Sequence, residues 1–474
     1  MEVNTAMLLF SIAAINSGHG YADELKDMYL PYLTSGKWTG TMNLTEPQCG
    51  TDLGLSKTMA TPNDDGSYKI TGTKIFITCG EHDLSENIVH LVLARTPNAP
   101  EGIKGISLFL VPKILPNEDG TLDKKNNVKC GSIEKKMGIK ASPTCVMHYE
   151  EAQGWLVGDL NKGMKAMFIM MNGARLFVGI QGIGLSETAF QSALHYSKER
   201  VQGKLPESEN IADPIIVHPE IRKNLMFMKS INDGVRGLML KAGYAFDLID
   251  TDQNKELIQS SENLIALLTP ILKSFATDKS MEITNQALQI YGGHGYITDH
   301  GMEQLVRDAR ITPIYEGTNG IQALDLIGRK FNIHDGLIIN QYLESINEFL
   351  NNNKENSDMK KFIKLFEPSY KDLKDCINFI KEIDSSNLQE INSHAVDLLN
   401  IFGLVAVGFT WLEFISVSFN KIKEKKDDFY LSKIQLGDFY LTKLIFETKK
   451  YKNNIYSSGN LYNEFEDKYF ESGI

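Results

Sequence analysis

The periodicity of the sequence changes near residue 160 from that of strands to that of helices, and this change constrains the fold more than any other feature. Residues 38–155 carry short β-branched and aromatic runs, among them SYKITGTKIFIT, NIVHLVLART and GISLFLVPK, which are separated by turn clusters without helices between them. This spacing predicts a mostly antiparallel barrel or sandwich. After residue 161, apolar residues recur at three- and four-residue steps, and helical stretches near 218–250 and 256–290 predict a bundle.

These two textures predict an α+β protein of several domains. We expect a helical segment at 1–36, a mostly antiparallel β-barrel at 37–157, a four-helix bundle at 158–330 and a helical extension at 331–474. The apolar run from Ala6 to Ile15 is too short to span a bilayer and lacks the basic start of a signal peptide, so we predict a buried helix that stops at Gly18. The next helix, in DELKDMYLPYLTSG, is expected to end near Pro31, and Gly36 breaks the helical pattern.

Charge and cysteine content exclude several classes of partner and site. The net charge of -11 argues against nucleic acid or an anionic membrane as the main partner. The five cysteines are scattered and never spaced as zinc ligands, which predicts reduced thiols in the cytoplasm and no metal site. The glycines of GIQGIG, residues 179–184, stand in the reverse order of a dinucleotide fingerprint and inside a predicted helix. We therefore expect them to allow close helix packing.

The stretch PIYEGTNGIQ, residues 313–322, has two interpretations. Thr318 or Asn319 would cap the following helix, and Glu316 would then be an acid placed favourably beside the helix dipole. Alternatively, Glu316 is a general base that removes a proton from carbon. The local sequence leaves both interpretations open.

Four further motifs precede this stretch in a fixed order. They are MNLTEPQCGTDLG (42–54), KIFITCGEHD (74–83), MMNGARLFVG around Arg175 and YSKERVQGK around Arg200, and the last motif extends from QIYGGHGYITDHG to Gln322. Each alone has a structural reading, such as a turn at Thr45, a core aromatic at Phe76 or a helix terminator at Gly292. Together they resemble the acyl-CoA dehydrogenase family of flavoproteins, from about residue 20 to 330. GSIEKKMGIKAS and DPIIVHPEIRK also resemble the bacterial branch that acts on 3-(methylthio)propanoyl-CoA.

The resemblance implies an N-terminal helical domain, a β-barrel middle domain, a C-terminal four-helix domain and bound FAD. The implied FAD contacts are Met42, Leu44, Thr45, Gly50, Thr51, Phe76, Ile77, Thr78, Arg200, Gln289, Gly292, Gly293, Thr318 and Asn319. The implied acyl-CoA contacts are Thr51, Asn172, Arg175, Tyr315 and Gly317. Phe76 stands where many members carry Trp, and Arg200 with the loop 289–293 would act across a dimer interface.

In this family the Glu of Y-E-G-T is the catalytic base, and Glu316 occupies that position. An α-proton of a thioester is weakly acidic, so the base needs a pKa raised by desolvation. The resemblance implies α,β-dehydrogenation of a short acyl-CoA, with 3-(methylthio)propanoyl-CoA as a candidate, and electron transfer to an electron-transfer flavoprotein. It also implies a homodimer or a dimer of dimers. We expect no nucleic-acid partner and no membrane span.

Only the last part of the family's N-terminal helical domain precedes GTMNLTEP. We therefore expect an acyl pocket that is open on one side, and a chain that binds FAD but turns over slowly. Three alternatives stay open from the sequence: an acyl-CoA oxidase, a non-catalytic flavoprotein with a binding role, and an inactive fragment.

Overall fold

The structure is a computed structural model, and it describes residues 22–457, 459 and 461–472. The helix expected from Ala6 to Gly18 lies outside these residues. The chain divides into two compact units between Phe177 and Val178.

The first described element is helix α1 (Ala22–Thr34), which contains Pro31 and ends between Pro31 and Gly36, in agreement with the sequence prediction. Leu25, Tyr29 and Leu33 are buried on one face of this helix, whereas Pro31 is exposed on the other. Proline lacks the N–H that would bond one turn back, and on the exposed face that carbonyl faces water. The packed face therefore keeps the helix intact, and it ends where Gly36 adopts a φ of 74°.

The first unit is built on a closed β-barrel. Its strands are β1 (Trp38–Asn43), β2 (Met59–Pro62), β3 (Tyr68–Thr78), β4 (Asn87–Arg95), β5 (Ile106–Pro112), β6 (Ile114–Pro116), β7 (Leu122–Lys125), β8 (Val128–Ile133) and β9 (Thr144–Val157). The pairings β4–β5, β5–β9, β9–β3 and β3–β2 are antiparallel, and a parallel bridge between Met59 and Arg95 joins β2 to β4 and closes the ring. β1 runs parallel to β4, and β8 pairs with β9. The predicted mostly antiparallel barrel is confirmed.

Strand β4, with the sequence NIVHLVLAR, is apolar along most of its length because of where it lies in the barrel. Val89, Leu91 and Leu93 face a cluster that also contains side chains of α1, whereas Val92 and Ala94 face a second cluster inside the barrel. Side chains alternate between the two faces of a strand. Both faces of β4 are therefore buried, and its sequence lacks the polar alternation of a surface strand.

The remainder of the chain is helical. Its helices are α2 (Gly163–Glu199), α3 (Pro219–Thr251), α4 (Lys255–Tyr291), α5 (Met302–Arg310), α6 (Asn319–Leu324), α7 (Leu337–Asn353), α8 (Lys360–Glu382), α9 (Leu388–Ser393), α10 (Ala395–Glu424), α11 (Asp428–Phe439), α12 (Thr448–Tyr456), α13 (Leu461–Glu464) and α14 (Asp467–Phe470). The unit division falls within α2, and the rest of these helices belong to the second unit.

Two glycines of GIQGIG let α2 pack closely against α4. A Cβ at Gly179 would lie 3.3 Å from the carbonyl oxygen of Leu272, and one at Gly182 would lie 3.2 Å from that of Ala276. A Cβ at Gly184 would have nothing within 4 Å. The expected role in helix packing is thus confirmed for the first two glycines only.

Helix α10, from the predicted extension, lies in the core of the second unit. The Trp411 indole donates to the Ser230 carbonyl of α3 at 3.1 Å, and a Cβ at Gly403 would lie 2.3 Å from the Phe275 ring of α4. By length and composition alone, α2 and α10 could each cross a membrane. However, 83% of the most apolar window of α10 is buried within the structure, as expected for the central helix of a bundle.

Candidate active site

The loop between α5 and α6 has an unusual backbone at Glu316. Glu316 and Gly317 both have positive φ, 58° and 80°. Thr318 then caps α6, accepting a hydrogen bond from the Ile321 N–H at 3.2 Å. The capping interpretation is therefore correct for Thr318. It does not account for Glu316, because a left-handed glutamate is unfavourable and such strained residues concentrate at functional sites.

Buried polar side chains hold this loop from the bundle side. The Lys273 ammonium donates to the Gly317 carbonyl at 2.8 Å and to Asn319 Oδ1 at 2.9 Å. The Gln322 amide donates to the Glu316 carbonyl at 3.2 Å, and the Asn319 amide donates to Asp278 at 2.7 Å. Sequence reasoning missed Lys273, although a single lysine within the apolar run IALLTPILKSFA was a usable signal.

Tyr315, next to Glu316, is anchored to α2 because its hydroxyl donates to the Gln181 side chain. Burial, followed by the charge of Glu316, raises the pKa of Tyr315 above its usual range. The Tyr315 phenol therefore stays protonated and keeps its hydrogen bond at physiological pH.

The expected adenosine-binding residues lie at two adjacent helix ends. Tyr196 near the end of α2 stacks on Tyr291 at the end of α4, with ring centroids 4.1 Å apart. Arg200 follows α2 and is exposed, and its backbone N–H donates to the Tyr196 carbonyl at 2.8 Å. Gly292 ends α4 with a φ of 57°. The exposed residues of the second helix end are Gln289, Gly292 and Gly293.

In the first unit, the ends of β1 and β3 lie together. The Ile75 N–H donates to the Thr45 carbonyl at 2.9 Å, and the Lys74 ammonium donates to the Leu44 carbonyl at 2.9 Å. Among the expected flavin contacts at and after the ends of these strands, Met42, Leu44, Thr45 and Thr78 are partly buried, whereas Gly50 and Thr51 are exposed.

Phe76 is 61% exposed and is not the core aromatic that its local sequence allowed. A bulge interrupts the pairing of β3 with β9 between Lys74 and Ile77, and Phe76 has a φ of 59°. A bulge redirects side chains. It turns the Phe76 ring out of the barrel while Ile77, at 2% exposure, stays in the core. The Ile77 side chain is thus unavailable to a cofactor, and only its backbone is left for the expected contact.

A buried ion pair between Glu46 and Lys74 supports the end of β1. Their side chains are 3% and 0% exposed and approach to 2.8 Å. Glu46 also accepts hydrogen bonds from the Ser56 hydroxyl and from the backbone of Lys57 and Thr58. Burial alone would raise the pKa of Glu46, but the Lys74 charge and these hydrogen bonds outweigh it and hold the pKa at about 2. The sequence interpretation did not identify this pair.

The remaining expected substrate contacts lie on α2. Asn172 is exposed, and Arg175, three residues later, is 5% exposed. Within residues 22–457, 459 and 461–472, no group of three or more His, Cys, Asp or Glu side chains is placed to hold a metal ion.

Each unit, taken by itself, offers groups that suit one part of a flat, anionic dinucleotide cofactor. Phe76 offers an aromatic face, Thr45 and Thr78 offer hydroxyls, and Arg200 offers a guanidinium for a phosphate or ribose. A Cβ at Gly292 or Gly293 would have nothing within 4 Å. The backbone at these glycines is therefore open to close approach.

Comparison with known proteins identifies the family. Residues 41–152 match the acyl-CoA dehydrogenase middle domain, 161–331 its C-terminal domain, and 342–465 an acetyl-CoA dehydrogenase C-terminal-like domain. A butyryl-CoA dehydrogenase of Syntrophomonas wolfei is 34% identical over 442 residues, which cover 90% of this chain and 72% of that protein. The chain belongs to the acyl-CoA dehydrogenase family. The family membership that the ordered motifs predicted is thereby confirmed.

Two further similarities refine this result. The 3-methylmercaptopropionyl-CoA dehydrogenase of Ruegeria pomeroyi is 48% identical over 326 residues, which cover 69% of this chain but only 55% of that protein. This acyl-CoA dehydrogenase chain therefore spans little more than half of that relative. A Bacillus anthracis acyl-CoA dehydrogenase solved in complex with FAD superimposes with a TM-score of 0.76 at 22% identity, covering 97% of this chain and 75% of that one. The predicted fold class is confirmed.

Proposed function

We propose that this chain is an FAD-dependent acyl-CoA dehydrogenase that introduces an α,β double bond into a short acyl-CoA, with Glu316 as the base. The left-handed backbone of Glu316, held by donors from the bundle interior, is the observation that carries the proposal. A strained residue persists only where its surroundings enforce it. Here the surroundings fix the one carboxylate in the motif position of the family base.

The chain's own residues have defined tasks in this reaction. The Glu316 carboxylate would remove the α-proton of the thioester, and its backbone N–H would polarise the thioester carbonyl as negative charge develops there. Gly317 leaves room for the substrate beside the backbone. When bound, FAD supplies the acceptor for the hydride that leaves the β-carbon.

The proposed cofactor contacts fall into three groups. The flavin would lie against Met42, Thr45, Phe76, Thr78 and the backbone of Ile77, with Leu44, Gly50 and Thr51 beside it. The adenosine half would contact Arg200, Gln289, Gly292 and Gly293, and the phosphates would contact Thr318 and Asn319. Most of these groups are exposed, whereas Met42, Leu44, Thr45, Thr78 and Asn319 are partly buried. This accessibility and the FAD complex of the Bacillus anthracis relative support the proposed contacts.

We infer 3-(methylthio)propanoyl-CoA as the candidate substrate, supported by the 48% identity to the Ruegeria pomeroyi enzyme. Thr51, Asn172, Arg175, Tyr315 and Gly317 are the proposed substrate contacts. An electron-transfer flavoprotein is the proposed acceptor, and a homodimer or dimer of dimers is the proposed assembly. The proposed domains are 1–36, 37–157, 158–330 and 331–474.

The test is the variant Glu316→Gln in the FAD-loaded protein. This change keeps the shape of the side chain but removes the base. We expect FAD to remain bound, while anaerobic bleaching of the flavin spectrum by acyl-CoA slows by roughly 10²–10⁴-fold, as is typical when a general base is lost.

The matched control is Glu303→Gln, because Glu303 lies on α5, the helix before the same loop, and its carboxylate pairs with Arg307 one turn later on that helix. This control should bleach at the parental rate. If Glu316→Gln also bleaches at the parental rate, Glu316 is not the base but only an acidic residue at a helix start, and the proposed mechanism is wrong.

A further inference from the structure

Lys273 is a fully buried lysine in the middle of α4. Its relative exposure is 0%, and its neighbours in the sequence are the apolar residues of LLTPILKSFA. Removing an ammonium group from water costs several kcal/mol unless polar partners replace the water. A buried ammonium therefore needs hydrogen-bond acceptors that offset this cost, and the acceptors of Lys273 indicate which part of the structure it holds in place.

Two of these partners lie in the loop that carries Glu316 and at the start of α6, which follows it. The ammonium donates to the Gly317 carbonyl at 2.8 Å and to the Asn319 side chain at 2.9 Å. Gln322 donates to the neighbouring Glu316 carbonyl at 3.2 Å. Both carbonyls on the C-terminal side of Glu316 are therefore drawn towards buried side chains.

This arrangement fixes two successive peptide planes. In a trans peptide the C=O and the next N–H point in opposite directions. A Gly317 carbonyl that is directed at Lys273 therefore turns the Thr318 N–H away from the bundle interior, and a Glu316 carbonyl directed at Gln322 does the same to the Gly317 N–H. The positive φ of Glu316 and Gly317 belongs to this orientation.

We propose that Lys273 is a positioning residue for the catalytic loop: its buried ammonium holds the Gly317 carbonyl inward and so keeps Glu316 in the backbone conformation from which its carboxylate acts. The proposal rests on the proposed function of Glu316. It predicts that the geometry of the base depends on a side chain 43 residues earlier in the chain, which contacts the backbone of the loop.

The test is Lys273→Met, which keeps much of the volume and removes the donor and the charge. An apolar replacement of a buried charge is often tolerated in stability, so the variant should fold and bind FAD. We expect the limiting rate of flavin bleaching by acyl-CoA to fall about 10–100-fold, the cost of a lost charge-assisted hydrogen bond. The half-saturating acyl-CoA concentration should change less than about threefold, because the defect lies in the base rather than in binding.

A second measurement needs neither substrate nor turnover. Hydrogen exchange of the FAD-free protein, followed in peptides that cover residues 311–325, should show faster exchange in Lys273→Met than in the parent. The control is Lys279→Met, because Lys279 lies on the same helix and pairs with Glu282 and Glu447. Lys279→Met should leave both the bleaching rate and exchange in this loop unchanged.

Gln322→Leu provides a second variant if Lys273→Met does not fold. Gln322 is fully buried and donates to the same carbonyls from α6, so its loss should also raise exchange in the loop and slow bleaching. The proposal is overturned if Lys273→Met shows the same hydrogen-exchange rate in the loop and the same bleaching rate as the parent. If only Gln322→Leu folds, unchanged exchange and bleaching rates in that variant overturn it. The exchange result does not depend on the role of Glu316, whereas Glu316→Gln tests that role directly, so failure of either idea can be distinguished.

Discussion

The buried pair of Glu46 and Lys74 predicts a large and specific loss of stability in Glu46→Gln. Glu46 Oε1 accepts from Lys74 and Ser56, and Oε2 accepts from the Lys57 N–H. In the variant, an amide NH₂ group replaces one of these two oxygens. It then faces a hydrogen-bond donor but cannot accept a hydrogen bond from it. Because each oxygen accepts from two or more donors, the variant leaves at least one donor unsatisfied. It also leaves the ammonium of Lys74, at 0% exposure, without its counter-charge.

Breaking a buried pair by removing one partner costs about 3–5 kcal/mol. With a urea m-value of about 2 kcal/mol/M, the unfolding midpoint of the first unit should fall by about 1.5–2.5 M. The double variant Glu46→Gln, Lys74→Met should recover part of this loss, because an apolar side chain replaces the buried charge.

Tryptophan fluorescence can report this transition selectively. Of the three tryptophans, Trp38 and Trp155 lie in the first unit and Trp411 in the second. In a Trp411→Phe background, the tryptophan fluorescence measured during a urea titration therefore reports unfolding of the first unit.

The matched control is Lys69→Met, because Lys69 is also on β3 but its pair with Glu151 is exposed, at 49% and 65%. This control should cost no more than about 1 kcal/mol. If Glu46→Gln shifts the midpoint no more than Lys69→Met does, the reasoning about the buried pair is wrong.

Two further predictions concern helix α10 and the cofactor. Gly403→Ala should lower the free energy of unfolding, measured in thermal melts, by about 1–3 kcal/mol, because the new Cβ would lie 2.3 Å from the Phe275 ring. The control is Gly184→Ala, whose Cβ would have nothing within 4 Å. This control should leave the free energy of unfolding unchanged or raise it. Equal melting shifts in both variants would contradict the close packing of α10 on α4. Arg200→Ala should weaken FAD binding about 10–100-fold in equilibrium titrations, as expected for loss of a charge-assisted contact, and unchanged affinity would remove Arg200 from the proposed site.

The features that could be predicted from the sequence are those set by local patterns. The β-branched and aromatic runs and the turn clusters between them predicted the barrel. The Thr318 cap follows from residue type next to a helical pattern. Phe76 needed a different kind of information, because a bulge in the pairing of β3 with β9 decides which way its ring points. Helix α1 continues a little beyond Pro31, to Thr34, because its packed face outweighs the low helix propensity of proline.

The supports of the candidate site were missed because they depend on contacts distant in sequence. Lys273 meets Gly317 across 44 residues, and Lys74 meets Glu46 across 28. No local period or motif encodes such a contact. A charged residue inside an apolar run indicates that a partner exists, but only the folded topology identifies which one.

The position of α10 in the core also has a consequence for synthesis of the chain on the ribosome. Helix α4 ends at Tyr291 and α10 begins at Ala395, 104 residues later. At about 5–20 residues per second, the bundle waits about 5–20 s for the helix that covers Phe275 and Ser230. During this interval the nascent chain exposes an apolar face that chaperones bind, so slower translation between these two helices should increase chaperone association and aggregation.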